Sequence, residues 1–221
     1  MRQASTTVPV VFTTADDPVA DGFVASMARP GGNLTGLAVT AGQEEARRLQ
    51  LLRDLAPGMT RVALLWTGLQ VGRIRQVEAA APVLGLQILS LKLDRPDDLD
   101  ATLASAIAWH ADGLHMTGAS GFLAPLVPRI VEVAAQNRWP TVSATPSVAR
   151  VGGLLAYGPN IPDLYRRAAG YVDKILNGAN PGELPIERPA KFEFVVNLKT
   201  ARAIGLTVPQ SILEQATEVI Q

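Results

Sequence analysis

The chain has 221 residues, 48% of them apolar and 5% aromatic, and its 20 basic and 20 acidic side chains cancel to a formal charge of zero. That is ample apolar content for a core and no net field to steer nucleic acid or an acidic membrane surface, so any ligand must be held by local contacts. With no cysteine there is no disulfide framework, cysteine zinc site or cysteine nucleophile, and no apolar run reaches the ~18 residues of a membrane span.

"VPVVF" predicts a strand over Val8–Phe12, followed at once by polar residues and too short for a secretory apolar segment. Pro18–Ala28 predicts a helix with Val19, Phe23 and Met27 on one face, Asp17 as N-cap and Pro18 at the first position. "RPGGN" (Arg29–Asn33) ends it, Leu34–Val39 is a second strand, and Glu44–Leu55 is a helix stopped by Pro57-Gly58. "RVALL" (Arg61–Leu65) reads as a buried strand, and Val71–Leu84 as a helix that Pro82 distorts. A strand over Gln87–Leu91 and a helix over Pro96–His110, capped by Asp94 or Asp97, come next. Then come a strand over Gly113–Met116, a helix over Phe122–Asn137, and strands over Thr141–Ser143 and Leu154–Tyr157. Pro162–Leu176 is an amphipathic helix, Ala179–Ala190 a Pro-rich connector, and Phe192–Asn197 a strand. Two helices, around Thr200–Ile204 and Gln210–Ile220, close the chain. About eight strands separated by helices predict an α/β fold of βαβ units with parallel sheets.

In such sheets ligands bind beyond the carboxyl ends of the strands. The residues there are Thr13, Thr14 and Asp16; Trp66, Thr67 and Gly68; Thr117, Gly118 and Ser120; Ala144 and Thr145; and Gly158, Pro159 and Asn160. These loops are small, hydroxylic and glycine-rich. They suit a small polar ligand gripped by many hydrogen bonds, although short polar loops are also ordinary βα connections. Trp66 could stack on a ligand or plug the edge of the domain. Chemistry is harder to find. No HExxH, GxSxG or P-loop occurs, and no GxGxxG follows a strand. His110 reads as a complement to a helix dipole, and His115, inside "GLHM", as a satisfied core or edge histidine. Asp97-Asp98 reads as a helix start rather than a metal site, and "EEARR" (Glu44–Arg48) as a solvated helix face.

Three stretches, "DPVADGFVASMARPGGNLTGL", "LLRDLAPGMTRVALLW" and Gly153–Pro209, together resemble the ABC-transporter substrate-binding proteins whose characterised relatives take up tryptophan and other aromatic amino acids. The resemblance runs over essentially the whole chain. It implies a two-lobed periplasmic-binding-protein fold of type I, with parallel sheets flanked by helices and a solute trapped in the cleft between lobes. Residues 1–58 plus about 159–186 would form lobe one, and 59–158 plus about 187–221 lobe two. Relatives carry an export signal and further strands before the first one here, so lobe one is expected to be incomplete and a homodimer could cover its open edge. The loop Trp66–Leu69 departs from the Asn-Pro-type turn usual in relatives, which leaves the ligand's identity open.

The expected function is a non-enzymatic, periplasmic or otherwise extracytoplasmic receptor that needs no cofactor or metal. It would bind a small amino-acid-like solute and present it to a membrane permease, with no nucleic-acid partner. Thr13, Thr14 and Asp16 would bind from lobe one, Asp16 pairing with an ammonium group. Trp66, Thr67, Thr117, Gly118, Ser120 and Thr145 would bind from lobe two, with Tyr157 and Asn160 near the hinge. The alternative is a ligand-sensing domain of a regulator with the same fold; a small α/β enzyme lacks a nucleophile–base pair.

Overall fold

The computed structural model describes residues 6–40, 42–68, 71–118 and 121–221. In chain order the elements are β1 (Val10–Ala15), β2 (Leu34–Ala38), α1 (Glu44–Leu55), β3 (Arg61–Trp66), α2 (Val71–Ala80), β4 (Gln87–Lys92), α3 (Leu99–Ala108) and β5 (Gly113–Met116). They continue with α4 (Val127–Gln136), β6 (Thr141–Ser143), α5 (Pro146–Arg150), β7 (Leu155–Pro159), α6 (Ile161–Leu176), β8 (Phe192–Asn197), α7 (Leu198–Ile204), α8 (Gln210–Leu213) and β9 (Glu218–Ile220). The fold is α/β, and the chain divides into two compact units that it enters and leaves at 42/43, 158/159 and 192/193.

The smaller unit holds 1–42 and 159–192. β1 and β2 pair in parallel, with Phe12 opposite Gly36. Gly36 has φ 142°, and a Cβ there would lie 2.0 Å from the Phe12 carbonyl oxygen. Only glycine permits that approach. α6 closes one face of this pair, with Leu164, Ala168 and Tyr171 packed on Leu37 and Val39.

The expected helix over Pro18–Ala28 is a single turn instead. Asp17 does cap it, accepting from the Ala20 N–H at 3.0 Å. Gly22, at φ 69°, then takes the left-handed conformation and its N–H closes on the Val19 carbonyl at 3.0 Å. A left-handed glycine is a helix stop, so the chain turns away seven residues before "RPGGN". Val19 and Phe23 are exposed rather than buried.

The larger unit holds 43–158 and 193–221. Its sheet runs β4-β3-β5-β6-β7-β8-β9, and the pairs β3–β4, β3–β5, β5–β6, β6–β7 and β8–β9 are parallel. The period-two alternation of a strand divides "RVALL" between two cores. Val62 and Leu64 join α1, α2, α7 and α8 on one face. Ala63 and Leu65 join α3 and α4 on the other.

Two expectations about element placement change here. α1, assigned to lobe one, belongs to the larger unit: Leu49, Leu51, Leu52 and Leu55 pack against Val62, Leu64, Val142 and Leu155. At ~1.5–3 kcal/mol for each buried leucine, that packing dominates where the helix lies. The tail also differs, because Gln210–Ile220 is not one helix. α8 stops at Leu213, and Thr217 clips the chain to β8, its N–H donating to the Phe194 carbonyl at 2.8 Å and its Oγ1 accepting from the Phe194 N–H at 2.8 Å. β9 then adds to β8 in parallel.

Replacing Gly36 by alanine tests the smaller unit's pairing. The variant is expected to lose about 3 kcal/mol in urea unfolding, whereas Gly72→Ala, with nothing near its Cβ position, should leave stability within ~0.5 kcal/mol.

Candidate functional site

A parallel sheet sends all its carboxyl ends to one edge. In the larger unit β3 ends at Trp66, β5 at Met116 and β6 at Ser143, and β7 leaves the unit after Gly158. Thr67 and Gly68, Thr117 and Gly118, Ala144 and Thr145, and Tyr157 therefore gather along that edge. Ser120 lies outside the described residues.

These residues do different jobs. Trp66 is half-buried against the α1-side core. Its Nε1–H donates to Ser90 Oγ on β4 at 2.9 Å, and Lys92 Nζ stands 5.9 Å from the ring centroid. The indole is thus engaged by β4 through a hydrogen bond and a cation–π contact. Thr117 is fully buried. Its N–H donates to the Leu65 carbonyl at 3.2 Å, and its carbonyl accepts from Arg73 Nη1 at 2.7 Å. Gly118 is half-buried beside it. Thr145, also half-buried, sits at the start of α5; its N–H donates to Ser143 Oγ at 3.1 Å. Tyr157 meets Phe194 edge-on at 6.1 Å, and its carbonyl accepts from Arg48 Nε at 2.6 Å.

In the smaller unit Thr13 and Thr14 belong to β1 itself rather than to the loop after it, Thr13 half-buried and Thr14 exposed. Asp16 follows the strand, its carbonyl accepting from Thr40 Oγ1 at 2.8 Å. The surroundings are acidic: burial first, then the nearby Asp17 and Asp16 charges, push the Asp21 carboxyl above its ordinary value. Asn160 caps α6, its Oδ1 accepting from the Asp163 N–H at 2.8 Å. A groove of about 570 Å3 lies at the other, amino end of β1 and β2, beside Pro9, Phe23, Asn33 and Asn180. It holds none of the residues nominated from the sequence.

The sequence reading missed a buried ionic cluster under the carboxyl edge of the larger unit. Glu45 and Arg48, expected on a solvated face, are each 2% exposed, and His115 is 0% exposed. Glu45 Oε1 lies 2.5 Å from Arg48 Nη1 and 3.8 Å from Arg73 Nη1, and its Oε2 lies 2.9 Å from His115 Nε2. The Arg48 Nη1 and His115 contacts are short but bent away from hydrogen-bond angles, and His115 Nδ1 has no hydrogen-bond partner among the described residues. His115 is buried in the core, as expected, but it is not a satisfied histidine: Glu45 stands beside its Nε2 at 2.9 Å and neither ring nitrogen has a hydrogen-bond partner among the described residues. A legible signal existed. Glu45 and Arg48 share the helical stripe of Leu49, Leu52 and Leu55 at i, i+3, i+4, i+7 and i+10, so they had to point inward. Among the described residues no group of three or more His, Cys, Asp or Glu side chains could hold a metal ion.

Burial raises the Glu45 carboxyl, but Arg48, His115 and Arg73 outweigh it and hold the pKa at about 2. An unfolded glutamate titrates near ~4.3. The folded value is the lower one, so the carboxylate contributes stability above pH ~4.3 and loses it as pH falls toward 2; linkage sets the size on the order of 3 kcal/mol. Urea unfolding should find Glu45→Gln less stable than the parent at pH 7, with the gap closing between pH ~4.3 and 2. A gap independent of pH would contradict the buried carboxylate.

Three comparisons with known proteins bear on this arrangement. The sequence matches the family described as ABC transporter substrate binding protein over residues 1–220. A tyrosine-binding protein of Clostridioides difficile is 21% identical over 206 residues, which cover 92% of this chain and 59% of that protein. The chain thus spans well under two thirds of this curated relative's length. An ABC domain from Streptococcus pneumonia, solved in complex with L-Trp, is similar with a TM-score of 0.90 and 22% identity, over 99% of this chain and 74% of that one. A conserved domain protein of Vibrio cholerae also gives a TM-score of 0.90, at 24% identity, over 99% of this chain and 73% of that one. At such identities the solved structures establish the fold, of the periplasmic-binding-protein kind. With the match running over all but the last residue, the chain belongs to the ABC transporter substrate-binding protein family, a family of transport receptors rather than of enzymes.

Proposed function

We infer that this chain is the extracytoplasmic solute-binding part of an ABC importer, that its solute is an aromatic amino acid or a close analogue, and that it hands the solute to a membrane permease. The observation that carries this is the gathering of β3, β5 and β6 ends at one sheet edge, where Gly68, Gly118 and Thr145 offer main-chain and hydroxyl groups. The tyrosine-binding relative and the relative solved with L-Trp point to the solute class. The family match favours a transport receptor over a regulator's sensing domain.

Two roles follow for the nominated residues. Asp16, in the acidic end of β1, takes the ammonium group of the solute, and the hydroxyls of Thr13 and Thr14 flank it. In the larger unit Thr67, Gly68, Gly118 and Thr145 supply polar contacts, with Thr117, Trp66 and Tyr157 supporting them from behind. No helix among the described residues is long and apolar enough to cross a membrane.

Titration calorimetry with L-tryptophan, L-tyrosine and L-phenylalanine tests the reading. At least one should bind, and Asp16→Ala should weaken it about tenfold, as expected for the loss of one charge-assisted contact. Equal affinity in the two proteins would remove Asp16 from the site; no binding of any of the three would remove the solute class.

A further inference from the structure

The Thr117–Gly118 peptide is where the buried cluster meets the sheet edge. β5 ends at Met116, so the Thr117 carbonyl has run past its ladder and needs a donor. Arg73 Nη1, from the first turn of α2, supplies one at 2.7 Å. The Arg73 side chain is 12% exposed and its Nη1 is 3.8 Å from Glu45 Oε1. Glu45 is in turn gripped by Arg48 and His115. The guanidinium is therefore held from behind by a carboxylate that is itself fixed. No peptide bond in the described chain is cis. In a planar trans peptide the C=O and N–H point in opposite directions. Anchoring the Thr117 carbonyl on Arg73 thus turns the Gly118 N–H away from the cluster, and no side chain at Gly118 covers it.

We propose that Arg73 is a positioning residue whose hydrogen bond to the Thr117 carbonyl aims the Gly118 N–H as a donor for the carboxylate of the solute. This rests on the solute reading above and adds to it the group that recognises the acid end. Arg73 itself does not touch the solute. Glu45 faces the guanidinium at 3.8 Å, and Arg48 ties the cluster to β7 by donating from Nε to the Tyr157 carbonyl at 2.6 Å. A preorganised main-chain donor of this kind costs no side-chain entropy on binding.

The test compares the parent protein with Arg73→Met and Arg73→Lys in two assays. The first follows the Gly118 amide by 15N–1H NMR and hydrogen exchange without any solute. Arg73→Met should shift that resonance and speed its exchange, Arg73→Lys should restore much of both, and amides of α3 and α4 should be unmoved. The second measures affinity for L-tryptophan and L-tyrosine beside tryptamine, which lacks the carboxylate. Arg73→Met should weaken the amino acids about tenfold and change tryptamine little. An unmoved Gly118 amide overturns the proposal, and so does equal weakening of tryptophan and tryptamine. If the parent binds neither amino acid, the solute reading fails by itself and the amide measurement still decides the role of Arg73. Should Arg73→Met not fold, Arg73→Lys carries both assays: partial effects of the same sign support the proposal and their absence overturns it.

Discussion

A glutamate with 2% exposure, Glu45, lies at the start of α1 in the larger unit, and the carboxyl edge of that unit's sheet is organised around it. Burying a carboxylate is expensive unless charges and donors surround it. Here Arg48, Arg73 and His115 do so, and together they hold its pKa near 2 despite burial. Because the ion cannot be left unpaired, its partners are fixed as well. Arg48 and Arg73 also donate to main-chain carbonyls, of Tyr157 inside β7 and of Thr117 just past the end of β5. One buried charge is thereby tied to the backbone of β7 and to the first residue past β5.

For the site proposed above, that arrangement gives a sparsely charged edge a route to specificity. Exposed loops pay conformational entropy when they close on a ligand. A loop whose first carbonyl is anchored from below, as at Thr117, has paid much of it on folding. The hydroxyls and glycines of the edge offer polar contact, consistent with a transport-receptor family. Trp66 shows the same economy: its N–H and one ring face are engaged by Ser90 and Lys92 of β4, so it stiffens the edge from within the sheet.

Much of the fold was legible in the sequence where burial imposes a period. The alternation in "RVALL" separates Val62 and Leu64 from Ala63 and Leu65, and the spacing of Leu49, Leu52 and Leu55 marks a helix. The rest failed for physical reasons. Gly22 ends the Pro18 turn through one backbone angle, which no apolar period reports. β9 is three residues long and depends on Thr217 reaching a strand 23 residues earlier. Periodicity shows that α1 buries a face but not which sheet receives it, so α1 was assigned to the wrong lobe. The edge residues were found by their position after strands, whereas Glu45 and Arg48 were misread because charge was weighed before their place on the apolar stripe.

The most direct measurement is a 15N–1H chemical-shift map of the whole chain on addition of L-tryptophan. The account predicts that perturbations concentrate on the amides of Thr67, Gly68, Gly118 and Thr145 at the carboxyl edge of the larger unit, and on Asp16 in the smaller one. Perturbations confined to the groove beside Phe23, Asn33 and Asn180, with the edge amides silent, would contradict it.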